Sequence, residues 1–170
     1  REQQRALEAI TATLEGGPGG SFLLHGVTGS GKTEVYLRAL ERCLALGKTG
    51  IFLVPEISLT PQTVHRLSAR FPGRVAVLHS RLSVGELFDQ WWKVRHGEYD
   101  VVVGPRSALF APLGDLGLIV IDEEHEWTYK QQDASPRYDA RRVALQLSQI
   151  TGSVVVMGSA SPDLVSYHRG

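Results

Sequence analysis

One cysteine, Cys43, stands in 170 residues. It excludes an internal disulfide and any zinc site built from several thiolates, and it fits a reducing, cytoplasmic setting. No stretch approaches the ~20 apolar residues of a membrane-spanning helix, so no membrane association is expected. No signal-peptide pattern stands at Arg1, which leaves secretion without support. Net charge is absent too, because 18 Lys and Arg offset 18 Asp and Glu. Such a chain has no global attraction to nucleic acid, and any binding of that kind must come from a local patch. What is present suits a folded domain. Hydrophobic residues make up 42% and aromatics 8%, which argues against intrinsic disorder. The length fits one domain that buries roughly 70% of its extended-chain surface. The sequence opens without Met and stops at Arg169-Gly170, and residues 1–170 are read as a single domain excised from a longer protein.

Six short apolar runs punctuate the chain: Phe22–Leu24, Ile51–Val54, Val75–Leu78, Val101–Val103, Leu118–Ile121 and Val154–Met157. Each is near-continuously apolar rather than alternating, as strands covered on both faces are. Between them fall helical patterns over Thr33–Leu46, Ser58–Arg70, Ser83–His96 and Arg137–Ile150, with Glu2–Leu14 ahead of the first strand. Gly47 follows the first of these as a helix stop. Gly16-Gly17-Pro18-Gly19-Gly20 reads as a flexible connector. Strand–helix units of this length predict an α/β three-layer sandwich with a mainly parallel sheet. Cys43 falls on the apolar stripe of its helix as an inert core thiol, and Trp91 with Leu87 and Phe88 reads as core packing. His65 and His96 are expected at the surface, and His79 as a satisfied loop residue.

The strongest chemical signal is Gly26-Val27-Thr28-Gly29-Ser30-Gly31-Lys32-Thr33, which matches the G-x4-G-K-[S/T] phosphate loop. By chance the pattern arises in about one chain of this length in a hundred. Its place between a strand and a helix is the one the chemistry requires. Glycines let the backbone curl with its N–H groups inward around phosphate oxygens, and the helix N-terminus adds its positive end. Gly26, Thr28, Gly29, Ser30 and Gly31 are the candidate cradle. Lys32 is expected to reach the β- and γ-phosphates of ATP, and the Thr33 hydroxyl to bind Mg²⁺.

A second signal is Leu118-Ile119-Val120-Ile121-Asp122-Glu123-Glu124-His125, an apolar strand running into carboxylates. Beside a phosphate loop, Asp122 is the candidate Mg²⁺-directed carboxylate and Glu123 the group that orients and deprotonates the attacking water. His125 has no second His or Cys at ligand spacing. Downstream, residues 126–138 carry Trp127, Tyr129, Lys130, Gln131, Gln132, Arg137 and Tyr138. Two readings are open for this loop. Its rings stack on unpaired bases while its cations meet phosphates, or Trp127 and Tyr138 simply pack it to the body. Arg106 and Ser107 follow a strand at its carboxyl end and are either a phosphate contact or a surface turn. Pro55–Gln62 leads into a helix that Ser58 or Thr60 can cap, and is either a DNA phosphate site or a structural turn.

Asp122-Glu123-Glu124-His125 with Gly31-Lys32-Thr33 resembles the D-E-x-H helicases and translocases of superfamily 2. Leu53–Gln62, His79-Ser80, Arg106–Pro112 and Tyr129-Lys130-Gln131-Gln132 narrow the resemblance to the bacterial replication-restart helicases within it. That resemblance covers nearly the whole chain, in order. It implies the first RecA-like, ATP-binding domain of a 3′-to-5′ DNA helicase working in the bacterial cytoplasm at the nucleoid. It also implies single-stranded or forked DNA, primosome proteins and single-strand-binding proteins as partners. By the same resemblance Gln3, in a pair upstream of the first helix, would touch adenine. Ser159-Ala160-Ser161 resembles the S-A-T motif that links hydrolysis to DNA movement, with Ser161 in place of Thr. Pro105 and Glu86-Leu87 depart from the family pattern near the expected DNA path. A second RecA-like domain of the same polypeptide would supply an arginine finger, so the isolated domain is expected to be nearly inactive. The rivals are another D-E-x-H translocase, a nucleotide-gated interaction module without hydrolysis, and a small-molecule P-loop kinase. The Tyr-Lys-Gln-Gln run weighs against the first, intact Lys32, Asp122 and Glu123 against the second, and missing lid segments against the third.

Overall fold

Burial on both faces dictates the sheet. In the central strand β5 (Leu116–Asp122), Leu118 and Val120 point into one apolar cluster while Ile119 and Ile121 point into another. Alternate residues of a strand face opposite sides, so a strand sandwiched between helices must be apolar at every position. The computed structural model describes residues 2–17, 19–25, 31–79, 81–122 and 139–159. Around β5 stand β1 (Gly20–His25), β2 (Thr49–Leu53), β3 (Val75–Val77), β4 (Val101–Gly104) and β6 (Val154–Ser159). Their order across the sheet is β1-β6-β5-β2-β4-β3, and every pairing is parallel.

Helices α1 (Glu2–Gly16), α2 (Lys32–Ala45) and α3 (Pro61–Arg70) cover one face, and α4 (Val84–Arg95) and α5 (Ala140–Thr151) the other. The three-layer α/β architecture expected from the sequence is therefore the one observed. Among the described residues no helix is long and apolar enough to cross a membrane.

Capping chemistry sets the helix starts. Thr60 accepts a hydrogen bond from the Thr63 N–H at 3.2 Å with Pro61 in the first turn, so α3 begins at Pro61. This corrects the expected start at Ser58, which instead ends a short 3₁₀ turn over Glu56–Ser58. Ser83 and Glu86 form a reciprocal capping box on α4, and Asp139 caps α5. Asp139, expected inside α5, thus precedes it as its cap, and Arg137 and Tyr138 lie outside the described residues. The glycine-rich connector is shorter than expected, because α1 runs to Gly16 and β1 starts at Gly20.

Leu87 and Phe88 are not core residues. They are 42% and 59% exposed, beside an exposed Trp92, because α4 meets the sheet through Val94 near its C-terminal end. His65 and His96 are at the surface as expected, and His79 accepts the Arg81 N–H through Nδ1 at 3.1 Å. Cys43 is fully buried, and burial pushes its thiol up to about 12.

Charge ties α2 to α3. Arg70 donates to Glu34 at 2.9 Å and to Glu41 at 2.9 Å, and Arg38 donates to Glu34 at 3.0 Å. The Arg70 and Arg38 guanidiniums hold Glu34 at about 2, below its ordinary 4.5. A carboxyl so depressed contributes stability above its unfolded pKa, and that contribution is lost as pH falls toward the folded value. Glu34 is more than a third exposed, so screening reduces the worth of each pair. We expect Arg70→Ala to cost about 1 kcal/mol in urea unfolding at neutral pH. The gap to the parent chain should close as pH falls from 4.5 toward 2, and a gap unchanged across that window would contradict the assignment.

Candidate nucleotide site

The carboxyl ends of parallel strands are where α/β folds bind ligands. Here that edge carries the start of α2, the end of β5 and the turn after β4. Gly31 is the N-cap of α2, with φ 90° and ψ 11°. A left-handed conformation of this kind favours glycine. Glycine offers no side-chain oxygen, so α2 has no side-chain cap, whereas Thr60, Ser83 and Asp139 cap α3, α4 and α5. An uncapped first turn of this kind presents a positive dipole end suited to an anion. Lys32 and Thr33 are the first two residues of that turn.

Thr33 and Asp122 line one cavity of about 120 Å³. Ser58, Thr63 and Arg66 supply its other polar walls, and Leu37, Phe52, Val54 and Leu67 its apolar ones. A hydroxyl and a carboxylate on this wall are hard oxygen donors, the kind Mg²⁺ prefers. Mg²⁺ keeps most of its waters and takes only one or two protein oxygens beside substrate phosphates. Among the described residues no group of three or more His, Cys, Asp or Glu gathers. The residues present fit Mg²⁺ carried with a nucleotide.

Asp122 is held from α2. The Tyr36 hydroxyl donates to Asp122 Oδ1 at 3.1 Å, and the Tyr36 ring, fully buried, meets Phe52 edge-on at 5.6 Å. Helical spacing places Tyr36 on the buried stripe of α2 with Val35, Ala39, Leu40 and Cys43. Its polar signal was available, since a buried phenol must find a hydrogen-bond partner. Arg66 and Thr63 on the cavity wall had no local signal of this kind.

Gln3 lies in the first turn of α1 rather than ahead of it, and its amide lies against Gly31. Arg106 and Ser107 open a 3₁₀ turn, Arg106–Phe110, directly after β4. Buried Ala108 and Leu109 anchor that turn, Arg106 is half-buried and Ser107 is exposed. β2 separates this turn's strand from Asp122. Ser159 ends β6 in register with His25 of β1. Gly26, Thr28, Gly29, Ser30, Glu123, Trp127, Tyr129, Lys130, Gln131 and Ser161 lie outside the described residues.

The DEAD/DEAH box helicase family model matches residues 1–168. Replication restart protein PriA of Bacillus subtilis (strain 168) is 55% identical over 168 residues, 99% of this chain and 21% of that protein. PriA of Treponema pallidum (strain Nichols) is 47% identical over 167 residues, 98% of this chain and 25% of that protein. The chain thus spans about a fifth to a quarter of the curated relatives it matches. Among solved structures, RecG bound to a three-way DNA junction superposes with a TM-score of 0.70 at 26% identity, covering 97% of this chain and 21% of that one. The Pyrococcus furiosus Hef helicase domain gives 0.66 at 21% identity, covering 96% of this chain and 34% of that one, and speaks for the fold alone.

A Cβ placed on Gly31 would meet the Gln3 amide nitrogen at 2.5 Å, besides forcing a side chain into left-handed backbone. Gly31→Ala should therefore destabilise the chain by about 1–2 kcal/mol in denaturant unfolding. Adding Gln3→Ala should recover only the contact share of that cost, because the backbone strain remains. Full recovery would show that strain at Gly31 is not the dominant effect.

Proposed function

The chain belongs to the DEAD/DEAH box helicase family, and we propose that it is the ATP-binding, RecA-like half of a DNA helicase motor that acts in replication restart. The observation that carries this reading is the meeting of Thr33, from the phosphate-loop pattern, and Asp122, from the Asp-Glu-Glu-His pattern, in one cavity at the carboxyl edge of the sheet. The high identity to PriA proteins favours replication restart over the other D-E-x-H machines. The first turn of α2 would receive the β- and γ-phosphates, and Lys32 would neutralise their charge. Thr33 and Asp122 would hold Mg²⁺, which when bound spreads the charge that builds on the transferring phosphoryl group. Glu123, next in sequence to Asp122, would hold a water in line with the γ-phosphate and take its proton. Gln3, whose amide lies against Gly31, would touch the base of the same nucleotide. Arg106, Ser107, Ser159, Ser161 and the segment with Trp127, Tyr129, Lys130 and Gln131 would face DNA or relay its presence to Glu123.

This chain carries one wall of such a cleft. A second RecA-like domain in the same polypeptide would supply the other wall and an arginine finger, worth on the order of 10³–10⁵ in rate. DNA, primosome proteins and single-strand-binding proteins are the partners that fit this role, in the bacterial cytoplasm.

In the full-length protein, Lys32→Ala should lower DNA-stimulated ATP hydrolysis by on the order of 10²-fold or more. The isolated chain should turn over ATP on the order of 10³–10⁵ more slowly than the full-length protein and should not unwind forked DNA. Both are read in a steady-state phosphate-release assay with and without forked DNA. Hydrolysis that survives Lys32→Ala would overturn the motor reading, and full turnover by the chain alone would overturn the half-motor reading.

A further inference from the structure

Asp122 and Gly158 are direct partners across the parallel pairing of β5 and β6. Above that pair lies a third group from a different layer. The Tyr36 hydroxyl, three residues along α2 from Thr33, donates to Asp122 Oδ1 at 3.1 Å. The same hydroxyl fills the space where Gly158 lacks a side chain. A Cβ built on Gly158 would fall well inside the Tyr36 hydroxyl, and would stand 2.7 Å from the ring carbon that bears it. Gly158 is therefore a gap cut in β6 for one oxygen atom. The phenol ring is itself fixed by full burial and by its edge contact with Phe52. A tyrosine packed in this way presents its hydroxyl to the carboxylate.

We propose that Tyr36 is a positioning residue for the metal-directed carboxylate, and that Gly158 is its required complement. The proposal rests on the nucleotide reading given above. An unrestrained Asp side chain samples several rotamers, of which only some present an oxygen toward the hydroxyl of Thr33. The hydrogen bond from Tyr36 occupies one oxygen of Asp122 and thereby sets the direction of the other. Because Tyr36 and Thr33 share one helix, the two Mg²⁺-directed oxygens are aligned by a single rigid element. This is how outer contacts orient the ligands of a metal site, and their loss typically weakens metal binding by about 10–100-fold when they are optimal.

The test uses the full-length protein and a fluorescent ADP analogue titrated with and without Mg²⁺. The ratio of the two affinities measures what the metal adds, independently of turnover. Tyr36→Phe keeps the ring and removes only the hydroxyl. We expect it to reduce that Mg²⁺-dependent gain by roughly 3–10-fold, the worth of one hydrogen bond. Affinity without Mg²⁺ should stay within twofold. Gly158→Ala should lower the gain at least as much, since the new methyl and the phenol oxygen claim one volume. Tyr36→Phe combined with Gly158→Ala should lose no more of the gain than Gly158→Ala alone, because both act through the same oxygen. A parental Mg²⁺-dependent gain in Tyr36→Phe, with Lys32→Ala defective as expected, overturns the positioning role and leaves the nucleotide reading standing. Losses that multiply in the double variant overturn the shared contact. A parent protein whose nucleotide affinity ignores Mg²⁺, and equals that of Lys32→Ala, overturns both readings together.

Discussion

A buried phenol needs a hydrogen-bond partner, and in this chain that need joins the helix layer to the sheet at its working edge. Tyr36 enters the core on the apolar stripe of α2, wedged against Phe52, and its hydroxyl ends on Asp122. The contact forces three parts of the sequence into agreement: the start of α2, the last residue of β5, and the glycine of β6 that makes room. Each lies far from the others in the chain. The parallel register that sets Asp122 beside Gly158 is what allows one oxygen atom to serve both. A slip of one residue in β5 would turn Asp122 to the opposite face, away from Tyr36 and toward the α5 side.

Much of the architecture was legible because the physics behind it is local or periodic. Strands covered on both faces must be apolar at each position, so the runs at Ile51, Val101, Leu118 and Val154 announced the central sheet. The phosphate-loop pattern was legible because glycine, lysine and threonine at fixed spacing answer one chemical demand. Helix starts were less so. Ser58 and Thr60 are both good caps, and only the Pro61 ring and the Thr60–Thr63 hydrogen bonds decide between them. The apolar residues of α4 misled, since Leu87 and Phe88 look like a buried stripe while only the far end of the helix reaches the sheet. The Tyr36–Gly158 fit left no trace in the sequence. A close approach between residues more than a hundred positions apart has no period and no local propensity.

Zero net charge conceals an uneven distribution. Arg38 and Arg70 converge on Glu34, with Glu41 completing the group, so that charges of both signs are consumed in joining α2 to α3. The acid in the first turn of α2 also sits favourably with the helix dipole. Binding the two helices beside the cavity keeps Thr33 and the wall formed by Thr63 and Arg66 in fixed relation. These surface arginines are thus engaged in joining elements of the fold.

The lone thiol has a practical consequence. Cys43 is enclosed by α2 and the neighbouring strands, and its sulfur hydrogen-bonds to the carbonyl of Thr49 at 3.3 Å. With its pKa pushed to about 12, the thiolate that maleimides and disulfide reagents attack is scarce at neutral pH. A cysteine engineered onto the exposed face of α4 or α5 would be the one handle open to a dye or spin label. Distance measurements across this chain can therefore begin from the native sequence, with no thiol to remove beforehand.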